Sequence, residues 1–160
     1  MDLHLRSDLP KKKVSIILLN EWDKGVPLVT IFNRQKGNDS WWDLIGGKRD
    51  PIIDSGMVRL ETDLEAAHLE LREEVGITPE PSHFKKLFKH LHWHPKTPDT
   101  ETRFLVVECP VGQIPQNLEQ KDHLKMEHHT PIKALEMLGN RVSPEVADYL
   151  SLLGGTYNPK

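Results

Sequence analysis

Cysteine is nearly absent from this chain of 160 residues, with Cys109 standing alone. A single thiol cannot close an internal disulfide, so packing and hydrogen bonds must hold the fold, and a reducing cytoplasm is the expected setting. Long apolar runs are missing too. No stretch approaches the length of a membrane helix, and residues 1 to 10 are too mixed and charged for a secretory signal. There is no excess of positive charge either. The formal net charge is -3, which argues against a surface that coats extended nucleic acid. Lys11-Lys-Lys13 reads as a charged lead-in to a strand. Phosphate-binding loops of the G-x-x-x-x-G-K-[ST] or G-x-G-x-x-G kind do not occur, and no Ser/His/Asp set follows from spacing. The length suits one domain over residues 1–160 with a proper core.

What the chain does have is a crowd of carboxylates. In Leu69-Glu-Leu-Arg-Glu-Glu-Val-Gly76, helical periodicity puts Glu70, Glu73 and Glu74 on one face within one turn. Like charges at these spacings repel. Gly76 marks the expected helix end, where the dipole disfavours anions. Such a placement is poor for stability and good for holding a hard divalent cation through oxygen ligands. Upstream, Thr62 and Glu65 have capping-box spacing. Leu64, Ala67, Leu71 and Val75 form an apolar stripe, which predicts a helix over about 63 to 75 with its core face beside its acidic face.

The stretch Ala66-Ala-His-Leu-Glu-Leu-Arg-Glu-Glu-Val-Gly-Ile77 resembles the second half of the Nudix box, G-x5-E-x7-R-E-U-x-E-E-x-G-U with U aliphatic. Glu61 has the E-x7-R spacing, and Trp42-Asp-Leu-Ile-Gly-Gly-Lys48 resembles the W-x-x-P-G-G-K segment that opens the box in MutT-type members. The box region thus spans about 46–77. Leu69 stands where the family has arginine, so the usual ion pair with the Glu61 position is lost. Ile45 replaces the usual proline. Between Gly47 and Glu61 lie residues 48 to 60, where the pattern has five, so residues 49–59 read as an insertion. Ile52, Ile53, Met57 and Val58 are expected to give that loop apolar grip as a wall or lid beside the substrate.

The resemblance implies an α/β fold, the Nudix α/β/α sandwich with a mixed central sheet. It also implies a Mg²⁺-dependent pyrophosphohydrolase, with Mn²⁺ able to substitute, cleaving a nucleoside diphosphate linked to another group. The partner is then a small nucleotide-type molecule. Glu73 and Glu74 are the primary metal ligands, with Glu70 a ligand or the proton acceptor, and the Gly47 carbonyl is added by the family pattern. A late glutamate often completes such sites; counting back from Pro131 places His128 nearest that position, with Glu127 one residue earlier. Glu127 is preferred because a carboxylate stays ionised at neutral pH and ligates Mg²⁺. Leu69 and the long loop also fit an alternative, a catalytically impaired Nudix-fold nucleotide-binding or regulatory module. A metal-dependent phosphohydrolase of unrelated fold is a third reading.

The rest of the chain alternates strands with a few helices. Val14–Leu19 and Val26–Phe32 read as a strand pair, Arg34 to Ser40 as a polar loop, Phe84–His94 and Thr102–Glu108 as a second pair, and Asp122–His129 as a short strand. Helices follow at about 131 to 138 and 144 to 153, with Ser143 as N-cap. Arg34 and Lys48 are candidate substrate-phosphate contacts. His90, His92 and His94 alternate along a strand, and a solvated face explains them better than zinc. His123, His128 and His129 show no ligand spacing. Of Trp41 and Trp42, one is expected in the core.

Overall fold

A computed structural model of the chain describes residues 11–23, 25–49, 51–91, 100–119 and 123–155. The elements are β1 (Lys11–Asp23), β2 (Val26–Lys36), β3 (Asp39–Asp43), β4 (Ile45–Lys48), β5 (Pro51–Asp54), β6 (Met57–Leu60), α1 (Asp63–Glu70), β7 (Phe84–Leu91), β8 (Thr100–Glu108), β9 (His123–His129), α2 (Pro131–Leu138) and α3 (Pro144–Gly155). A seven-stranded sheet runs β3-β2-β1-β8-β7, with β4 added against β1 and β9 against β2. β1 and β8 pair in parallel, while the other pairs of this sheet are antiparallel.

The apolar run of β1 follows from its central place, because a strand covered on both faces cannot alternate with polar residues. Ile17 and Leu19 face one core with Val29, Ile31, Phe104 and Val106, closed by Ala134, Leu138, Val146 and Leu150 of the two C-terminal helices. Val14, Ile16 and Leu18 face the other with Phe32, Leu105 and Val107, closed by Ala66, Ala67 and Leu71. Helix, mixed sheet and helix pair make the expected α/β/α sandwich. Among the described residues no helix is long and apolar enough to cross a membrane.

Three local expectations need correction. The polar segment after Phe32 is not a loop. β2 continues to Lys36 and turns at Gly37 (φ 62°) into β3, with Arg34 opposite Trp41. An edge hairpin keeps polar side chains in solvent, and Gly-Asn is a hairpin turn signal, so the segment shows little hydrophobicity while still pairing.

The insertion is also strand. β5 and β6 pair through Ile52↔Arg59 and Ile53↔Val58, and both turn residues have positive φ (Ser55 52°, Gly56 76°), as a tight twisted hairpin requires. Most of its apolar side chains do not grip the body: Ile53 is 79% exposed, Met57 73%, and Val58 is exposed as well, while Ile52 is half-buried. Third, the box helix is regular only to Glu70. Leu71–Val75 forms a π turn that ends at Gly76 in the left-handed region (φ 70°).

The other boundaries lie close to expectation at α2, α3 and the strand cores. His92, His94 and the end of the predicted strand at 94 fall outside the described residues, as does Asp122, and the side chains of His90 and His123 are likewise undescribed.

Candidate active site

The site is assembled where β4 lies between β1 and the box helix. β4 pairs with β1 through Val14↔Gly47, Ser15↔Gly46 and Ile16↔Ile45. Its glycines have different constraints. A side chain on Gly46 would meet the Val14 carbonyl oxygen at 2.3 Å, whereas one on Gly47 would meet Glu70 Oε1 at 2.3 Å. Gly46 is therefore demanded by the sheet and Gly47 by a carboxylate. The Gly46 N–H donates to Glu74 Oε2 (3.1 Å), which draws that carboxylate onto the strand backbone.

α1 starts as its sequence dictates. Thr62 Oγ1 accepts from Glu65 N (3.2 Å), and Thr62 N donates to Glu65 Oε1 (2.9 Å), a complete capping box. Arg59 of the hairpin also donates to Glu65 (2.8 Å). That bond, with the Thr62 N–H, lowers the Glu65 carboxyl to about 2.

The helix end is charged differently. Glu74 is buried, Glu73 is exposed and Glu70 is half-buried. Burial, followed by the adjacent Glu74 carboxyl and the charges of Glu73 and Glu119, pushes Glu70 up to about 8. Arg34 answers part of this charge, with Nη2 3.3 Å from Glu74 Oε1 and Nε 3.7 Å from Asp43 Oδ2.

Glu119 had no signal in the sequence, being one acid in an irregular loop. The structure brings it in because the preceding loop docks on the box helix. Gln116 N donates to the Val75 carbonyl (3.0 Å) and Leu118 N to that of Glu74 (3.1 Å).

Of the remaining candidates, Lys48 is exposed at the end of β4. Trp42 packs against the core under the C-terminal helices. The Trp41 ring lies 4.9 Å from the Arg141 guanidinium carbon. Glu127 lies on the sheet face opposite the box helix. It is in register with Ile31, which faces the C-terminal helices, and its carboxylate lies 2.7 Å from His129 Nε2. His128 alternates to the box-helix face with Met126 and Phe32. Its Nδ1 is 2.9 Å from Thr30 Oγ1, which accepts from Asn20 Nδ2 (2.7 Å). Counting from Pro131 points to His128; the preference for Glu127 rests on carboxylate chemistry, which does not set the face of a strand.

Among the described residues no three His, Cys, Asp or Glu side chains are placed so as to hold a metal ion. The donors occur instead as a touching pair, Glu70 and Glu74, beside the side-chain-free edge of Gly47. That pair suits a hard divalent cation. Its oxygens are the right donor type, and their mutual repulsion, visible in the raised Glu70, is what a cation relieves.

The fold and this carboxylate-lined helix define a class. The chain belongs to the NUDIX domain family, whose profile matches residues 9–149. Its reaction is accordingly hydrolysis of a phosphoanhydride link, and the unrelated-fold reading is set aside. No curated protein sequence matches the chain closely. Among solved structures it resembles an Ap4A hydrolase binary complex from C. elegans, at TM-score 0.60 and 13% identity over 91% of this chain and 96% of that one. It also resembles a NUDIX hydrolase from Nitrosomonas europaea (0.59, 12%, 94% and 92%). A third similar structure is a MutT NUDIX hydrolase from Burkholderia pseudomallei (0.55, 19%, 90% and 98%). At such identities the likeness speaks for the fold.

Proposed function

We propose that this chain is a Mg²⁺-dependent pyrophosphohydrolase, able to use Mn²⁺, that cleaves a nucleoside diphosphate linked to another group. One observation carries the reading: Glu70 and Glu74 are pressed together against Gly46 and Gly47 at the end of the box helix. Glu70, Glu74 and the Gly47 carbonyl would hold the cation, with Glu73 joining by a change of rotamer. When bound, the cation supplies neutralisation of the pyrophosphate oxygens and a lowered water pKa.

The chain's own residues do the rest. Water attacks one phosphorus, a new P–O bond forms, the bridging P–O bond breaks, and the departing phosphate takes the bridging oxygen. Glu70 accepts the proton that the water loses. Its half-buried carboxylate beside Glu74 is the group at the end of the box helix placed to take that proton once it is ionised. Arg34, drawn from Glu74 toward the substrate, and Lys48, exposed on the same strand as the glycine pair, supply positive charge for the phosphates. Little covalent chemistry is asked of the protein, which mainly positions groups and stabilises charge.

The test is phosphate release across a panel of nucleoside diphosphate derivatives and dinucleoside polyphosphates, with auxiliary phosphatase, in Mg²⁺, in Mn²⁺ and in chelator. Turnover that appears with either cation and vanishes in chelator supports the reading. Nucleotide binding without turnover under every condition would assign a binding module instead.

A further inference from the structure

The β5–β6 hairpin separates the glycine pair from the box helix, and one side chain closes its base. Arg49 N donates to the Lys12 carbonyl of β1 (3.0 Å). Its guanidinium donates to the Glu61 carbonyl through Nε (2.7 Å) and also through Nη2. Nη1 lies 3.5 Å from Asp63 Oδ1, and the Arg49 side chain is only 10% exposed. Arg103 approaches the other Asp63 oxygen (3.0 Å) and donates through Nε to Glu101 (2.8 Å), while Lys12 reaches Glu101 at 3.9 Å. Three cations thus share two carboxylates at the N-terminal end of α1.

Arg49 differs from the others in what it joins. Its backbone follows directly on β4, two residues past Gly47, and its fork holds the last residue before the Thr62 cap. A planar fork that donates twice to one carbonyl fixes direction as well as distance. Apart from this fork, Arg103 on Asp63 and the Gly46 N–H on Glu74, the helix rests on the sheet through Ala66, Ala67, Leu71 and Val75, and apolar contacts are non-directional.

We propose that Arg49 is a positioning residue: it pins the start of the box helix to the end of β4, so that Glu70 and Glu74 stay in reach of Gly47 and the Gly46 N–H. Its consequence for metal binding rests on the function proposed above. Its geometric consequence does not.

The test compares Arg49→Ala and Arg49→Lys with Arg103→Gln, a change in the same charge network that leaves the Glu61 carbonyl clamped. In the metal-free full-length protein, amide hydrogen exchange at Gly46 reads the bond to Glu74 directly. Added Mn²⁺ alone, followed by water proton relaxation, reads affinity without turnover. Arg49→Ala is expected to speed Gly46 exchange and to weaken Mn²⁺ binding by about tenfold, the usual scale for residues supporting metal ligands. Arg103→Gln should leave both nearly unchanged even where it lowers the melting temperature as much. Should Arg49→Ala fail to fold, Arg49→Lys is read by the same criterion, since lysine keeps the charge but loses the fork. Gly46 exchange no faster than in Arg103→Gln overturns the proposal. If the unaltered protein takes up no Mn²⁺, the metal reading falls, and Gly46 exchange still decides the role of Arg49.

Discussion

At the start of the box helix each described carboxylate meets a cation or a backbone N–H. Glu65 is bonded to Arg59 and Thr62, and Asp63 lies between Arg49 and Arg103. At the end of the same helix Glu70 meets another carboxyl, while Arg34 brings a guanidinium to Glu74. The outcome is opposite in sign, with Glu65 lowered to about 2 and Glu70 raised to about 8. The dipole would already favour acids at the first end and disfavour them at the second. One end is built for stability, and the other carries an electrostatic cost that a bound cation would offset.

The largest expected effect lies at the costly end. Glu70→Gln should lower turnover by about 10²–10⁴-fold, the range for loss of a general base, while the protein folds as well as before or better. Glu74→Gln should act through the metal, and saturating Mg²⁺ should not restore it. Near-normal rates in both variants would remove this end of the helix from the mechanism.

The glycine pair sharpens the contrast between site and scaffold. Gly46→Ala drives a methyl into the Val14 carbonyl and should cost about 1–3 kcal/mol of stability, as overpacking commonly does. Gly47→Ala meets the movable end of Glu70 instead. It should melt near the unaltered temperature yet lose activity. Thermal melts and rates on the two variants check the pair, and equal losses of stability would contradict it.

A pH series tests the costly end without substrate. Because Glu70 is raised from 4.5 to about 8, the folded metal-free protein holds a proton that the unfolded chain releases. That contribution is complete below the unfolded value and lost as pH rises through the folded one. The melting temperature in chelator should therefore fall between about pH 5 and 8, and Glu70→Gln should flatten the decline. The smallest effect belongs to the stable end: Thr62→Ala removes a cap and should cost about 1 kcal/mol, with turnover per folded molecule unchanged.

Much of this contrast was legible in the sequence, because it is local. Thr62 and Glu65 announce the cap, and the spacing of Glu70, Glu73 and Glu74 announces the acidic face. What could not be read depends on partners distant in the chain. Arg49 becomes a clamp only when β4 and α1 are packed, and Glu119 becomes a neighbour of Glu70 only when its loop docks on the box helix. The choice between Glu127 and His128 turns on the pairing of β9 with β2, where a shift of one residue exchanges the faces. The hairpin β5–β6 escaped because its short strands carry exposed apolar residues that mimic a loop with buried anchors.

The parallel pairing of β1 with β8 bears on how the molecule is made. Lys11 to Leu19 align with Thr100 to Glu108, so β1 waits for a partner that is synthesised far later. Until then one edge of β1 is open, and Leu105 and Val107 are missing from the core under α1. The glycine pair and its carboxylates are encoded early, yet their platform is completed late. Closing so long a loop is slow, so a nascent chain ending before Thr100 should remain a client of chaperones, with its acidic helix present in sequence but not yet held in place.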